Sequence, residues 1–534
     1  MTNDDLQSWP YREARNVLDR LNEKGKTEGP VIFETGFAPS GLPHIGTFSE
    51  VARTSWVRRA FEQLSDLPTR LIAFSDNMDG LKKVPQNVPN SNMLEDYVGH
   101  PLCEIPDPFG EEESFSAYMN ARFCEFLDSF GFDYEMVTSS ECYRAGQFND
   151  GLLRILKYHD RVRSVITPTL REDKQEDWSP FFPVCEGCGK INNTRVTGVY
   201  PDDGTVSYVC DQSFRGAAPC GHFGTIPVTD GHVKVGWKVD WALRWMDLDV
   251  DYEMYGKDLI ESARISSALT RALQKTPPAG MSYEMFLDED GSKISKSDGS
   301  GLSIDDWLEY GPLESLSYFI FQRPEKARKL SVNIVPQTID RYLRERTKFG
   351  GVETQKSPLD SAIFFVDADK VDSGQRCGYD CEVAFSTLLN FVGVLNTDDR
   401  GVIWDYLRDH DETVEDNPEL VGNLIKCALR YYCDHMESTK DFHLPDDEVM
   451  PAVDQFCEFL RHYDGNDAEE IQTAAYDAGN DNDVPLGDWF RAMYQLMLGQ
   501  EQGPRLGTFV QLYGVDETLE LIERRFDALE LSDE

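Results

Sequence analysis

Apolar positions along the first hundred residues follow two different rhythms. Val31, Ile32 and Phe33 form a short continuous run that ends in Glu34, Thr35 and Gly36, the mark of a buried strand. Beyond it Phe48, Val51, Val57, Phe61 and Leu64 recur at three- and four-residue spacings, with Arg53, Arg58, Arg59 and Glu62 between them. That spacing predicts an amphipathic helix. Thr47 and Glu50 stand as a capping box does, so the helix is expected to start there. A second apolar run, residues 71–74, closes in Ser75 and Asp76. Strand, glycine-rich turn, helix and strand make a βαβ crossover, and such sheets bind ligands beyond the carboxyl ends of their strands.

Two loops carry candidate chemistry. "PSGLPHIGT", residues 39–47, packs two prolines, two glycines and one histidine, His44, into the approach to that helix. Helix N-termini offer unpaired N–H groups to anions, so the loop is placed to meet a phosphate; the plain alternative is a tight turn with an incidental histidine. In "YEMFLDEDGSKISKSDGSGLS", residues 283–303, a strand over 283–287 is predicted to end in an acidic turn. Lys293, Ser295, Lys296 and Ser297 follow, flanked by Gly291, Gly299 and Gly301. Lysine is a compact point charge suited to phosphate. Alone the segment reads as an exposed basic loop. Beside the histidine loop it reads as a second phosphate contact.

Proline- and glycine-rich breaks ("NVPNSN", "IPDPFGEEES", "TPPAG" and "NDNDVPLGD") punctuate the chain, and no internal repeat stands out. After about residue 380 the rhythm turns helical: Leu424, Ile425, Ala428, Leu429 and Tyr432 share one face, as do Val453, Phe456, Cys457 and Leu460. An α/β front and an all-α back are expected. The 534 residues leave room for several cores. No apolar run reaches membrane-spanning length, and "MTNDDLQSWP" is unlike a secretory signal, so no membrane partner and a cytoplasmic location are expected.

Charge changes the picture further. A net −43 repels nucleic acid over most of the surface. From Gly351 onward 41 acidic residues face 13 basic ones, a balance of −28; residues 1–350 hold 54 and 39, a balance of −15. Residues 323–348 reverse the sign, with eight basic residues against three acidic. They are a candidate polyanion contact or a solvated helix face.

The twelve cysteines are scattered except for one cluster, as in a reduced protein. "CEGC" at 185–188 supplies Cys185 and Cys188, one corner of a tetrahedral thiolate site; Cys210 and Cys220 complete it. Their wider spacing leaves His222 as an alternative to either. Gly187 and Gly189 relax the turn. A structural Zn²⁺, with no part in catalysis, is expected.

"HIGT" at 44–47 and "KISKS" at 293–297 resemble the two signatures of class I aminoacyl-tRNA synthetases. The strings "FETGFAPSGLPHIGTFSEV", "FSDNMDGLKKVP", "IPDPFG", "GWKVDWALRW" and "DYEMYGKDLI" are similar to class I lysyl-tRNA synthetases from about residue 9 to 350, and "LGQEQGPRLGTFVQLYGV" extends the likeness. Thr47 stands where the first signature usually has its second histidine. The resemblance implies an α/β Rossmann-type catalytic domain with an inserted zinc-ribbon-like module, followed by an all-α C-terminal anticodon-binding domain. Residues 1–150 and 231–320 would be catalytic, 151–230 the insertion, 321–380 a basic connecting region, and 381–534 the anticodon-binding domain. A monomer is expected.

The resemblance also implies ATP, L-lysine and tRNA(Lys) as partners, Mg²⁺ with the ATP, and a lysyl-adenylate before transfer. The family can require tRNA even for adenylate formation. The alternatives are a glutamyl- or glutaminyl-type synthetase, which should carry an arginine where this pocket has Glu34 and Asp76, or a synthetase-derived RNA-binding protein. By similarity His44, Thr47, Lys293 and Lys296 are catalytic. Pro39, Gly41, His44, Gly46, Gly256, Asp258, Ser295 and Lys296 would hold ATP. Glu34, Thr35, Gly36, Asp76 and Asp79 would floor the lysine site, with Trp237, Asp240 and Trp241 opposite and Tyr283 at the aliphatic stem. Trp237 and Trp241, four residues apart, read equally well as core packing. Which carboxylate meets which ammonium is open.

Overall fold

The buried runs resolve into one parallel sheet. The computed structural model describes residues 6–43, 45–85, 88–292, 302–350, 357–375, 377–379, 381, 383–395 and 397–530. Four parallel strands lie in the order Glu135–Thr138, Thr69–Ser75, Val31–Phe37, Val250–Glu253. Chain order reverses between the last two, so the crevice beyond their carboxyl ends is the place where such sheets bind ligands. Residues 31–35 are buried one after another, as in a strand covered on both faces. The first strand runs in register with the second from Val31 opposite Thr69 to Phe37 opposite Ser75, and the Asp76 N–H donates to the Phe37 carbonyl at 2.8 Å.

The first crossover helix spans Ile45–Glu62 and begins two residues before the expected start. Thr47 therefore sits within the first turn. Glu50 makes no capping box; its carboxylate accepts from Gly36 N–H and from Tyr283 O–H instead. A helix over Trp9–Lys24 precedes the sheet, with Pro10 in its first turn and Gly25 at φ 67° ending it. Beyond that end, Lys24 and Lys26 reach Asp251 at 2.7 and 2.6 Å, and Asp251 also accepts the Ile32 N–H at 3.0 Å. One carboxylate thus ties the helix end to the strands Val31–Phe37 and Val250–Glu253.

The strand expected over 283–287 is two short ones. Ser282–Tyr283 pairs with Tyr255–Gly256, and Phe286–Leu287 with Arg328–Lys329. The insertion is an antiparallel three-stranded sheet, Thr194–Tyr200, Thr205–Cys210 and Phe223–Pro227, beside the pair Phe181–Pro183 and Val233–Val235.

The chain divides into two compact units: Met1–Ser303 with Ile320–Leu330, and Ile304–Phe319 with Ser331–Glu534. The first is mixed α/β; the second is helical among the described residues. In the helix Pro418–His435 the buried face holds Val421, Leu424, Ile425, Cys427, Ala428 and Tyr431, so Leu429 and Tyr432 lie at its margin. Val453, Phe456, Cys457 and Leu460 are all buried, as their spacing predicted. The helix Val335–Gly350 splits the basic strip. Arg341, Arg344 and Lys348 are exposed, whereas Arg346 is buried and donates to the Cys377 carbonyl at 2.8 Å, beside Tyr342 and Asp367. Among the described residues no helix is long and apolar enough to cross a membrane.

Candidate active site

Carboxylates converge where the parallel strands end. Glu34 comes from the first strand, Asp76 and Asp79 follow the second, Asp240 lies in the first turn of the helix Trp237–Asp247, and Glu253 ends the fourth strand. Two buried cations sit among them. Lys234 Nζ lies 3.0 Å from Asp76, 2.9 Å from Asp79 and 3.6 Å from Asp240. Arg244 reaches Glu34 at 2.9 Å and Glu253 at 3.4 Å, with its guanidinium 4.5 Å from the centre of the Phe74 ring. A Cβ at Gly36 would stand 2.9 Å from Arg244 Nη2, so a larger residue there would press on the guanidinium.

Five carboxylates thus face two internal cations, and the imbalance appears in their protonation. Burial pushes Glu34 well above the usual carboxylate range, raises Asp76 to about 7 and raises Glu253. Burial would raise Asp79 too, but Lys234 and Lys82 outweigh it and hold it low. Burial alone would lower Lys234 and Arg244; the surrounding carboxylates more than reverse this and keep both charged. Among the described residues, neither oxygen of Glu34 nor the Thr35 hydroxyl has a hydrogen-bond partner; the 2.9 Å approach of Arg244 to Glu34 is a charge contact out of line for one. Unpaired buried acceptors of this kind are costly unless a ligand completes them.

Tryptophans wall the cluster. Trp237 and Trp241 stack at 5.2 Å, so the two readings of their spacing divide between them. Trp241 is core, and its indole N–H donates to Glu253 at 2.6 Å, as does that of Trp245. Trp237 stays 40% exposed and available to a ligand.

The residues expected to hold ATP fall on two segments, residues 255–258 and the loop 39–47. Gly256 pairs with Tyr283, and a Cβ at 256 would come within 2.7 Å of Asp258 Oδ1. A Cβ at Gly41 would meet open space, and Pro39, at the start of the same loop, is buried. Gly46 and Thr47 lie in the first turn of Ile45–Glu62. His44, Lys293, Ser295 and Lys296 lie outside the described residues.

The four expected sulfurs come together. Cys185, Cys188, Cys210 and Cys220 have Sγ atoms all within 4.8 Å of one another, a group that could hold a metal ion. His222 does not join them; its Nε2 lies 3.7 Å from Glu186. Gly187 fits because a Cβ would meet the His222 Cβ at 2.8 Å, and Gly189 has φ 73°. The knuckle also touches the segment that follows the second strand. The Cys188 carbonyl lies 2.9 Å from His100 Nε2, Ile191 N–H donates to the Gly99 carbonyl at 2.8 Å, and Gly80 leaves room for Asn192. Asn77, between Asp76 and Asp79, is clasped by Ser139 and Ser140.

Lys234, Arg244 and Glu253 have no role in the sequence reading, and Glu50 has only that of a helix cap. The available signals were a lysine alternating with buried valines at 233–235 and a glutamate ending a buried run at 250–253.

The chain matches the family described as tRNA synthetases class I (K) over residues 7–365. It is 42% identical over 523 residues to the lysine–tRNA ligase of Rickettsia felis (strain ATCC VR-1525 / URRWXCal2), covering 97% of each chain. It is 41% identical over 525 residues to the lysine–tRNA ligase of Rickettsia bellii (strain RML369-C), covering 97% of this chain and 98% of that one.

Proposed function

We propose a lysine–tRNA ligase mechanism from the premise that this chain belongs to the class I (K) tRNA synthetase family. It joins L-lysine to tRNA(Lys) at the expense of ATP; the relatives that it matches over 97–98% of their length are named lysine–tRNA ligases. One observation favours lysine on physical grounds: five carboxylates surround only two internal cations at the strand ends. An amino acid with two ammonium groups relieves that excess. An acidic substrate would add to it.

The reaction needs no protein nucleophile. The lysine carboxylate oxygen attacks the α-phosphorus of ATP and pyrophosphate leaves; a ribose hydroxyl of the tRNA terminus then attacks the acyl carbon and AMP leaves. The chain's work is positioning and charge stabilisation. Glu34, Asp76, Asp79 and Asp240 set the field that receives the ammonium groups, with Thr35 and Gly36 at the floor, Trp237 as the open wall and Tyr283 between lysine and nucleotide. Pro39, Gly41 and Gly46 shape the loop that meets the phosphates at the first turn of Ile45–Glu62, and Thr47 adds a hydroxyl there. Gly256 and Asp258 hold the nucleoside. His44, Lys293, Ser295 and Lys296 are assigned by resemblance to the α-phosphate and the departing pyrophosphate. Mg²⁺ bound with the ATP would neutralise part of the charge on its phosphates. Twelve unpaired thiols suit a reducing compartment, which favours the cytoplasm.

Pyrophosphate exchange tests this directly. With tRNA(Lys) saturating, the protein should exchange pyrophosphate into ATP when lysine is present and stay near background with glutamate or glutamine. Exchange driven by glutamate would overturn the assignment.

The sulfur cluster suits zinc. Tetrahedral Zn–S bonds of about 2.3 Å put sulfurs about 3.8 Å apart. The pairs Cys185–Cys220 and Cys188–Cys210 stand at 3.5 and 3.9 Å. Bound Zn²⁺ would fix the knuckle that abuts residues 99–100, and so steady the turn carrying Asp76 and Asp79. Protein purified without chelator should contain about one zinc per chain, and Cys185→Ser should lower Tm and raise the lysine KM. Metal-free protein, or a variant unchanged in both respects, would refute this.

Arg341, Arg344 and Lys348 form the exposed face proposed to meet the tRNA backbone. Replacing all three by alanine should raise the tRNA KM and flatten the salt dependence of binding, by about 0.7–0.9 for each phosphate no longer neutralised. An unchanged slope would make the strip an ordinary solvated face.

A further inference from the structure

Glu50 joins the two halves of the site. One carboxylate oxygen accepts the Gly36 N–H at 3.2 Å, at the lysine side of the sheet, and the other accepts the Tyr283 hydroxyl, at the nucleotide side. Tyr283 is itself paired with Gly256. One turn further along the same helix, Arg53 is 1% exposed, and its guanidinium carbon lies 4.7 Å from the centre of the Tyr283 ring and 5.4 Å from that of Phe286. Arg53 Nε and Nη1 have no hydrogen-bond partner among the described residues. A guanidinium so placed is poorly used as packing. It supplies positive charge near Glu50 and Tyr283 and little else.

We propose that Glu50 is a positioning residue for the ligation: its ionised carboxylate fixes the lysine-side strand end against the nucleotide-side strand, and Arg53 favours that ionised form. The inference rests on the ligase reading above. In-line attack depends on holding the two substrates in register, and a misplacement of about 1 Å between them costs on the order of a hundredfold. An ionised carboxylate accepts both donors at once. A protonated one turns one oxygen into a donor and weakens the pairing.

The groups facing Glu50 are Glu34 and Glu253 from the sheet, Arg244 from the helix Trp237–Asp247, Tyr283 from the nucleotide side, and Arg53 from its own helix. Burial raises Glu50 to about 7; the Tyr283 hydrogen bond pulls it down and the Glu253 charge pushes it up. Because the ionised form is the productive one, kcat should rise with pH through that region. Arg53 favours the anion, so its loss moves the inflection to higher pH.

The test compares wild type, Glu50→Gln, Glu50→Asp and Arg53→Met in lysine-dependent pyrophosphate exchange at saturating tRNA, from pH 6 to 8.5, with Tm measured alongside. Glu50→Gln should lose about tenfold to a hundredfold in kcat at pH 8, with lysine and ATP KM within about threefold, and its profile should lack the inflection near 7. Glu50→Asp should retain an inflection and part of the rate, and Arg53→Met should shift the inflection upward. A Glu50→Gln enzyme with wild-type kcat, or one that keeps the wild-type inflection, would overturn the proposal. Should Arg53→Met fail to fold, Glu50→Gln decides alone. Absence of lysine-dependent exchange in wild type would instead count against the ligase reading.

Discussion

Everything at the strand ends is organised around two buried cations that are too few for the carboxylates they serve. Lys234 holds Asp76, Asp79 and Asp240, and Arg244 holds Glu34 and Glu253. Breaking a buried pair by removing one partner typically costs about 3–5 kcal/mol, because the remaining charge is left in a poor solvent. The fold tolerates the cluster by distributing it over four separate segments and letting protons reside on part of it. Glu34 and Asp76 carry that burden, both pushed upward by burial. A sheet built for stability alone would place apolar side chains at these positions. Charged residues in buried strands mark where a ligand is to supply the missing partner.

Supports around this cluster follow from the same need for fixed geometry. Asp251 ties the first helix to the strands Val31–Phe37 and Val250–Glu253, which resists slippage between the ends bearing Glu34 and Glu253. Asn77 is held by Ser139 and Ser140 between Asp76 and Asp79, two of the three aspartates that meet Lys234. The cysteine knuckle leans on the same region through His100 and Gly99. The cysteine module therefore bears on the turn that carries Asp76 and Asp79.

Local patterns in the sequence were read correctly where they encode local structure. The apolar run at 31–33 is a buried strand, the spacing from Phe48 to Phe61 is a helix, and four cysteines with little else in common meet at one point. Glu50 shows why the rest was hidden. Thr47 and Glu50 have capping-box spacing, yet the helix starts at Ile45 and the carboxylate is drawn away by Gly36 and Tyr283, the latter more than two hundred residues distant. Lys234 and Arg244 were invisible for a similar reason: a lysine between valines reads as a strand's solvent face until the residues that oppose it are known. The residues 283–287 look like one strand because nothing local says that two different neighbours pair with its halves. Roles assigned to His44, Lys293, Ser295 and Lys296 rest on resemblance, since these lie outside the described residues.

Proton exchange on lysine binding tests the central claim most directly. The empty site holds protons on carboxylates raised by burial; an arriving ammonium lowers them again and drives those protons out. Titration calorimetry of lysine into the full-length protein near pH 6.5, in buffers of different ionisation enthalpy, should show net proton release. Affinity should increase with pH from about 5 to 7 and level off above, because protons are released wherever the raised carboxylates are still protonated in the free protein. Binding with no proton release and an affinity flat across that range would contradict the account, and would mean that the five carboxylates are already balanced before lysine arrives.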